Sequence, residues 1–404
     1  MDELGLVGDQ LWPGCHPPDY LISDGRKLPS GWVEIESHRI MGRRGRADLI
    51  IPLSNSVAAR ALSSYSHLRP IPTRIPRLAA AAALGSRLIR PRRTIVLAAR
   101  EGVNATITPV LSQLSESLGS DLSAVMHVRR TANRKALLQL VDGKGITVGF
   151  AKIARDAMTS QYVRNEAAAL RLFDGGDALV RTPRLIAEGE ARGYPYVVTE
   201  PLPFNIRAVR GDSGGAPSIA EYASIAPISR WAVASQTEHV RGLRVRSSSL
   251  DGIAAPAHLE PLTELLDYID SVPIQMPVAE RFHGDLSFWN VGRTPSGTLW
   301  CWDFEGTEND ALAGLDIVHW YASRRRAREG VRGLRDRPGI LADSSPTLTA
   351  FGIASANSTA LVFSLYIAEI VTRTLEMAAA DGWSHVWCGP ADVMGLLADA
   401  SESS

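Results

Sequence analysis

Residues 283–290 read His-Gly-Asp-Leu-Ser-Phe-Trp-Asn, and residues 302–305 read Trp-Asp-Phe-Glu. Asn290 follows Asp285 by five residues, and Asp303 follows Asn290 by thirteen. A carboxylate such as Asp285 can accept a proton, and the side-chain oxygens of Asn290 and Asp303 are of the kind that Mg²⁺ prefers. The pattern therefore predicts a general base beside a cation site.

The segment between Asn290 and Asp303 predicts a β-hairpin. Strand-like residues flank Thr-Pro-Ser-Gly at 294–297, which is typical of a type I turn. A hairpin centred between Ser296 and Gly297 places Asn290 opposite Asp303, close enough for both to hold one cation. The alternative is a set of turn and capping residues without chemistry, because Asp and Asn are common in turns. The fixed intervals together with the hairpin favour the functional interpretation.

A lysine and a glutamate upstream have the spacing of an ion pair. Residues 146–153 alternate like a strand and contain Lys152, and the helix predicted to begin at Thr159 and Ser160 carries Glu166 on its apolar face. A buried carboxylate is costly without a cationic partner, so we expect Glu166 to pair with Lys152. The alternative places Glu166 at the edge of that face, in contact with water. Lysine is rare in this chain, which has only four: Lys27, Lys135, Lys144 and Lys152.

Together these motifs resemble the aminoglycoside phosphotransferase and choline kinase type of enzyme, within the protein kinase-like superfamily. The resemblance covers roughly residues 100–400. It includes an Asp-Phe-Glu element at 303–305, where protein kinases carry Asp-Phe-Gly. It implies an α+β, two-lobed fold with a small β-rich N-lobe and a large, mainly helical C-lobe. It also implies a small-molecule kinase that transfers the γ-phosphate of ATP to a hydroxyl of a sugar, aminoglycoside or amino alcohol.

The resemblance further implies roles for the residues of the two C-terminal motifs. Asp285 is the base that accepts the proton of the acceptor hydroxyl, and His283 orients the loop rather than reacting. Asn290 and Asp303 are the Mg²⁺ ligands. Asp316 either buttresses the catalytic loop or is an ordinary N-terminal helix residue favoured by the helix dipole, and the sequence does not decide between these.

In the N-lobe, the same resemblance makes Lys152 the residue that binds the ATP phosphates and Glu166 its partner. The strand at residues 196–199 leads into a hinge, where backbone groups of Glu200 and Leu202 are expected to contact adenine. A glycine-rich phosphate loop is absent, and the candidate segment at 128–135 is polar instead. Whether ATP or GTP is the donor therefore stays open, and a catalytically silent module that binds nucleotide or a protein partner is the alternative function.

The expected domain organisation has three parts. Residues 1–98 are an accessory region of uncertain fold, either a small α/β domain or an extension packed on the N-lobe. The N-lobe follows at 99–202, with a helix that starts after Thr108-Pro109 and ends near Gly119. The C-lobe occupies 203–404. We also expect a Pro/Arg-rich connector at 69–76, a solvated basic loop at 42–46, a flexible loop at 211–218 and a long core helix at 358–380.

Composition agrees with a soluble enzyme. Lysine plus arginine and aspartate plus glutamate each total 43, which argues against a general binder of nucleic acid. The three cysteines lack a C-x-x-C spacing, so neither a disulfide framework nor a zinc site is indicated and a cytoplasmic location is expected. The N-terminus does not resemble a signal peptide, and no membrane segment is expected. The oligomeric state is not indicated.

Two features near the motifs allow alternative interpretations. Arg324 to Arg326, with Arg328, either bind an acidic or phosphorylated acceptor or form a solvated end of a helix, and the second is favoured. Trp289 and Phe288 either stack against substrate or anchor the loop in the core, and we expect anchoring for Trp289. The acceptor itself cannot be identified from the sequence.

Overall fold

The computed structural model describes residues 3–15, 18–25, 27–42, 46–68, 71–89, 91–102, 109–130, 133, 135–173, 179–210 and 215–401. Parts of three predicted loops lie outside the described residues, namely 43–45, 131–132 with 134, and 211–214, as does Thr108. The chain divides into two compact units. The first comprises Met1–Asp174 and Pro183–Arg207, and the second comprises Gly175–Thr182 and Ala208–Ser404.

The strands are β1 (Tyr20–Ser23), β2 (Trp32–Met41), β3 (Leu49–Ile51), β4 (Thr94–Arg100), β5 (Ser123–His127), β6 (Ala136–Val141), β7 (Thr147–Ile153), β8 (Val180–Arg181), β9 (Leu185–Ala191), β10 (Tyr194–Thr199), β11 (Arg207–Ala208), β12 (Ile228–Ala232), β13 (Met276–Phe282), β14 (Val291–Arg293), β15 (Leu299–Cys301) and β16 (Glu308–Leu312). The helices are α1 (Glu3–Leu11), α2 (Asn55–Ser63), α3 (Ile71–Gly85), α4 (Val110–Leu118), α5 (Ala157–Phe173), α6 (Ile219–Ile225), α7 (Glu238–Ser248), α8 (Pro256–Ser271), α9 (Leu315–Glu329), α10 (Val331–Arg335), α11 (Arg337–Ala350), α12 (Ala356–Asp381) and α13 (Pro390–Ser401).

The first unit is built on one antiparallel sheet of nine strands in the order β1-β4-β2-β3-β5-β6-β7-β10-β9. Strands β1 to β4 belong to this sheet, because β3 pairs with β5 through Leu49 opposite His127 and Ile50 opposite Met126. Their apolar side chains also share one core with later strands, so that Ile50 packs in the same cluster as Leu138. The N-terminal strands thus continue the sheet of the first compact unit, which runs from Met1 to Asp174 before its second segment.

The Pro/Arg-rich connector predicted at 69–76 is wrong for its described part, because α3 already begins at Ile71. Pro72 lies in the first turn, where a helix does not need the N–H that proline lacks. Arg77 then anchors the helix from a buried position, since its guanidinium donates to the Leu62 carbonyl at 2.9 Å and to Gln139 Oε1 at 3.0 Å. Tertiary contacts therefore stabilise a helix that local propensity argues against.

Helices dominate the second unit, which contains α6 to α13 and two small sheets. In one sheet β13 pairs antiparallel with both β12 and β16, and in the other β15 pairs antiparallel with β14 and parallel with β8. The predicted α+β class, β-rich in its first part and mainly helical in its second, is confirmed.

Helix α12 is the long core helix expected at 358–380. Within the described ranges it is the one helix whose length and composition would allow a membrane span, but 83% of that apolar window is buried inside the protein. Its burial identifies it as a core helix. The three cysteines, Cys15, Cys301 and Cys388, are buried and free.

Candidate active site

The predicted hairpin forms, but its register differs from the expectation by one residue. Val291 lies opposite Cys301 and Arg293 opposite Leu299. The turn has three residues, in which Gly297 adopts a φ of 92° and its N–H donates to the Thr294 carbonyl at 2.9 Å. A three-residue turn centres the hairpin on one residue instead of between two.

The consequence is that Asn290 faces Trp302, whose N–H donates to the Asn290 carbonyl at 3.1 Å. The expectation that Asn290 lies directly opposite Asp303 is therefore wrong. Asp303 is the next residue along the chain and has left-handed backbone geometry, with a φ of 70°. This turn ends the strand and leads into a short 3₁₀ helix, Phe304–Gly306.

The loop that carries Asp285 is held by the helix that follows the hairpin. Asp316 in the first turn of α9 is buried and accepts the N–H groups of His283 and Gly284, at 2.7 and 3.0 Å. Gly284 has a φ of 79°, and a Cβ there would meet the Gly306 carbonyl oxygen at 1.9 Å. Asp316 therefore buttresses the loop, and only glycine fits between the loop and the Asp-Phe-Glu turn.

Both carboxylate oxygens of Asp285 have a side-chain partner. The amide Nδ2 of Asn290 donates to Oδ2 at 2.8 Å and to the Asp285 carbonyl at 3.0 Å. His319 Nε2 donates to Oδ1 at 2.9 Å. His319 is not among the predicted site residues, although it follows Asp316 by three residues and so lies on the same face of α9.

His283 is buried next to Asp285. Its ring is 1% exposed, lies 4.3 Å from the Phe304 ring, and accepts the Asp285 N–H at its Nδ1 with a distance of 3.3 Å. Burial lowers the pKa of His283, although Asp316, Asp285 and Asp303 oppose that shift. A neutral imidazole that accepts a backbone N–H fixes the position of Asp285 without supplying a proton.

Asn290 and Asp303 offer a donor set that suits Mg²⁺. The amide nitrogen of Asn290 is directed at Asp285, so its Oδ1 points away from that carboxylate. An amide oxygen and a carboxylate are hard ligands that favour Mg²⁺ over softer metals. The residues present therefore fit the implied ion.

In the first unit, Lys152 and Glu166 form an ion pair. Lys152 Nζ lies 2.6 Å from Glu166 Oε1 and 2.5 Å from Oε2, and Glu166 is 3% exposed. Lys152 is on an inner strand of the sheet, with Leu137 on one side and Val197 on the other. The helix begins earlier than expected, at Ala157, because Asp156 accepts the Thr159 N–H at 2.8 Å. Glu166 is thus buried and paired, which excludes its position at a water-exposed edge.

Glu200 and Leu202, which follow β10, each have one backbone group hydrogen-bonded within the first unit. The Glu200 N–H donates to the Arg184 carbonyl at 2.9 Å, and the Leu202 carbonyl accepts the Tyr65 hydroxyl at 2.8 Å. The Glu200 carbonyl and the Leu202 N–H make no hydrogen bond to a residue that the structure describes. One acceptor and one donor therefore stay available, which is the combination that an adenine edge requires.

No protein-family model and no curated protein matches the chain. Solved structures do. Choline kinase LicA from Streptococcus pneumoniae matches at 13% identity over 73% of this chain and 97% of its own, with a TM-score of 0.47, and LicA is also known in complex with AMP.

Two further solved structures match to a similar degree. A protein assigned as a fructosamine-3-kinase from Haemophilus somnus 129PT matches at 11% identity over 73% of this chain and 96% of its own, with a TM-score of 0.46. An ethanolamine kinase from Plasmodium vivax matches at 9% identity over 81% and 89%, with a TM-score of 0.46. By their names, these structural neighbours are kinases of small molecules, namely fructosamine, choline and ethanolamine.

Proposed function

We propose that this protein is a small-molecule kinase that transfers the γ-phosphate of ATP to a hydroxyl group of a sugar, aminoglycoside or amino alcohol type acceptor. The observation that carries the proposal is the position of Asp285. Its carboxylate is oriented by Asn290 and His319, in a loop that Asp316 holds at two backbone N–H groups. Such a fixed carboxylate next to oxygen ligands is the arrangement that phosphoryl transfer to a hydroxyl requires.

In this proposal Asp285 accepts the proton of the acceptor hydroxyl. The hydroxyl oxygen forms a bond to the γ-phosphorus, the bond between that phosphorus and the β,γ-bridging oxygen breaks, and ADP leaves with the bonding electrons. Asn290 and His319 keep both oxygens of Asp285 in place while the proton moves. His283 maintains the loop conformation.

The Mg²⁺ ion would be held by Asn290 and Asp303. When bound, it neutralises phosphate charge and helps to align the transferred group. Lys152 binds the phosphates of the nucleotide, because its ion pair with Glu166 directs the ammonium group. The Glu200 carbonyl and the Leu202 N–H bind the adenine. We place the protein in the cytoplasm, where its three free thiols stay reduced.

The test compares wild type with Asp285→Asn, which preserves shape but removes the base. Hydroxylated acceptors are incubated with Mg²⁺ and ATP, and phosphorylation is read as the mass gain of the product. We expect kcat to fall by at least about 100-fold in the variant, because that is the usual contribution of general acid–base catalysis. Asp251→Asn, an exposed aspartate of the same unit, is the matched control and should behave like wild type.

Calorimetric titration with Mg-ATP separates the two candidate functions. A kinase binds Mg-ATP in both wild type and Asp285→Asn, whereas Lys152→Met weakens binding. If wild type binds nucleotide but phosphorylates none of the acceptors, the catalytically silent binding module is the better description. Full activity in Asp285→Asn would remove Asp285 from its proposed role.

A further inference from the structure

Arg326 occupies an unusual position between two tryptophan rings in the second unit. Its guanidinium carbon lies over the Trp289 ring at 5.5 Å and over the Trp387 ring at 5.0 Å from the respective centroids. Trp289 is 38% exposed, so the expectation that it anchors the loop in the core is wrong. Within the part of the chain that the structure describes, no carboxylate forms a salt bridge with Arg326. The guanidinium therefore faces two aromatic rings and no carboxylate of the described residues.

The adjacent arginine has a different environment. Arg325 forms ion pairs with Asp336 and with Asp343, the latter at 2.8 Å. Its charge is neutralised by the N-cap residue of α11 and by a carboxylate within that helix, so Arg325 has a structural role. A solvated helix end does not explain Arg326, because its guanidinium lies over two tryptophan rings.

Arg326 shares a helix face with the residues that hold Asp285. Asp316, His319 and Arg326 follow one another on α9 at intervals of three and seven residues, so Arg326 lies about 10 Å along the helix axis from His319. Tyr366 interacts with both His319 and Arg326. Its ring lies 5.7 Å from the His319 ring. Burial raises the pKa of the Tyr366 hydroxyl; the charge of Arg326 lowers this pKa, and the charge of Asp285 raises it. Both charges thus act on the same phenol.

A guanidinium stacked between aromatic rings is preorganised for anions. The ring faces favour its positive charge, while its N–H groups have the fork geometry that matches a carboxylate or phosphate. Two tryptophans around an empty space would instead attract a cationic ligand. Here the protein's own cation takes that place, so a positively charged group would be repelled.

We infer that the acceptor carries an anionic group, a carboxylate or a phosphate, in addition to its hydroxyl. Arg326 binds that group beside Trp289 and Trp387, while the hydroxyl reaches Asp285, whose partner His319 lies about two helical turns from Arg326 on α9. The inference rests on the proposed kinase function and narrows it, because it favours acidic acceptors over amino alcohols and aminoglycosides.

The experiment uses acceptors in matched pairs that differ by the anionic group: L-serine with ethanolamine, D-glycerate and glycerol 3-phosphate with glycerol, and gluconate with sorbitol. Wild type, Arg326→Gln, Arg326→Lys and the exposed control Arg332→Gln are compared with each pair. Transfer is measured as kcat/KM, and binding without ATP is measured by calorimetry.

We expect wild type to prefer the anionic member of at least one pair. Arg326→Gln should lower kcat/KM and affinity for that acceptor roughly 10- to 100-fold, the usual effect of losing a hydrogen bond between charged groups. Arg326→Lys should recover part of the loss, since it restores charge without the planar fork. Arg332→Gln should match wild type. A purely structural clamp would instead lower kcat for charged and neutral acceptors equally, and that result would overturn the inference.

The binding measurements distinguish failure of this inference from failure of the kinase proposal. If an anionic acceptor binds wild type but not Arg326→Gln and no phosphate is transferred, the anion site stands and the kinase proposal fails. If neutral or cationic acceptors are phosphorylated equally by wild type and Arg326→Gln, the kinase stands and the anion site fails. If no anionic acceptor binds or reacts, the anion site is also wrong.

Discussion

At the scale of single residues, the proposed chemistry depends on how Asp285 is positioned. Its two oxygens are bonded to different side chains, Asn290 from the same loop and His319 from α9. A carboxylate held at both oxygens has one orientation, which favours proton acceptance from a hydroxyl in a defined place. His319 is accordingly a positioning residue, because it acts through Asp285.

His319→Ala should lower kcat by about tenfold, because a carboxylate that has lost one of its charge-assisted hydrogen bonds is less well oriented. The KM for ATP should not change. His319→Gln, whose amide can still donate to Asp285, should retain more activity than His319→Ala. Steady-state kinetics with both substrates varied checks this, and wild-type kcat in His319→Ala would contradict the role.

His283 links the site to stability at low pH. Burial lowers its pKa in the folded protein, whereas in the unfolded chain it titrates near its ordinary value of about 6.5. As the pH falls below that value, the unfolded state takes up a proton that the folded state resists, so stability is lost towards acid. The stability that depends on a neutral His283 is fully present above the ordinary pKa of histidine.

The prediction is that the free energy of unfolding of wild type falls more steeply between pH 8 and 5 than that of His283→Asn. An asparagine oxygen can still accept the Asp285 N–H but does not titrate, which makes it a matched replacement. Urea unfolding at a series of pH values measures the difference. Parallel curves would show that His283 does not contribute to the acid sensitivity.

At the scale of secondary-structure elements, the catalytic loop and the Asp-Phe-Glu turn are packed against each other through backbone. Arg373 of α12 donates to the carbonyls of both, Gly284 at 2.8 Å and Gly306 at 3.1 Å. Because a Cβ on Gly284 would collide with the Gly306 carbonyl, the two segments can approach only if residue 284 is glycine.

Gly284→Ala should therefore destabilise the protein by roughly 2–5 kcal/mol, the sum of left-handed strain and steric overlap. Gly297→Ala is the matched control, because Gly297 also has positive φ but no atom lies within 4 Å of the added Cβ. It should cost only about 1–2 kcal/mol. Chemical unfolding of both variants checks this, and equal losses would show that the close approach is unimportant.

At the scale of the whole molecule, the N-terminal extension holds the segment predicted to cover the nucleotide phosphates. Gln10 of α1 is buried; it donates to the Arg129 carbonyl at 2.7 Å and accepts the Arg129 N–H at 2.9 Å. Glu3 of the same helix pairs with Arg130 at 2.6 Å. These contacts join residues that are more than 100 positions apart, within the first unit.

Gln10→Ala should raise the KM for ATP about three- to tenfold, since loss of two buried hydrogen bonds loosens the segment before it meets the phosphates. The kcat should change little. Gln161→Ala, an exposed glutamine of the same unit, serves as the control. Nucleotide titrations measure the effect, and an unchanged KM would show that the extension has no influence on nucleotide binding.

A second long-range feature is a buried network of charges in the second unit. His239, Glu308 and Glu369 have ligand atoms within 4.8 Å of one another, which is a possible metal-binding geometry. Arg246 already contacts both glutamates, at 2.9 and 3.1 Å, and Arg373 pairs with Glu369. The carboxylates therefore have cationic partners, and the network is a structural tie between α7, β16 and α12.

The sequence by itself determined the elements that depend on near neighbours. It specified the strand that carries Lys152, the helix that carries Glu166 and the hairpin after Asn290, because alternation, capping and turn residues act over a few positions. It also indicated that Lys152 and Glu166 are paired, since a buried carboxylate requires a cation. The predicted α+β class was what the resemblance of these motifs to a known kinase family implied.

The tertiary structure alone decided the remaining features. The turn of three residues moved Asp303 out of direct register with Asn290, and only packing could show that Ile71 to Pro76 are helical. Asp316 and His319 reach the loop of Asp285 from a later helix, and Arg326 meets Trp387 about sixty positions away along the chain. Such contacts depend on how elements pack, and side chains that meet only after packing leave no periodic signal in the sequence.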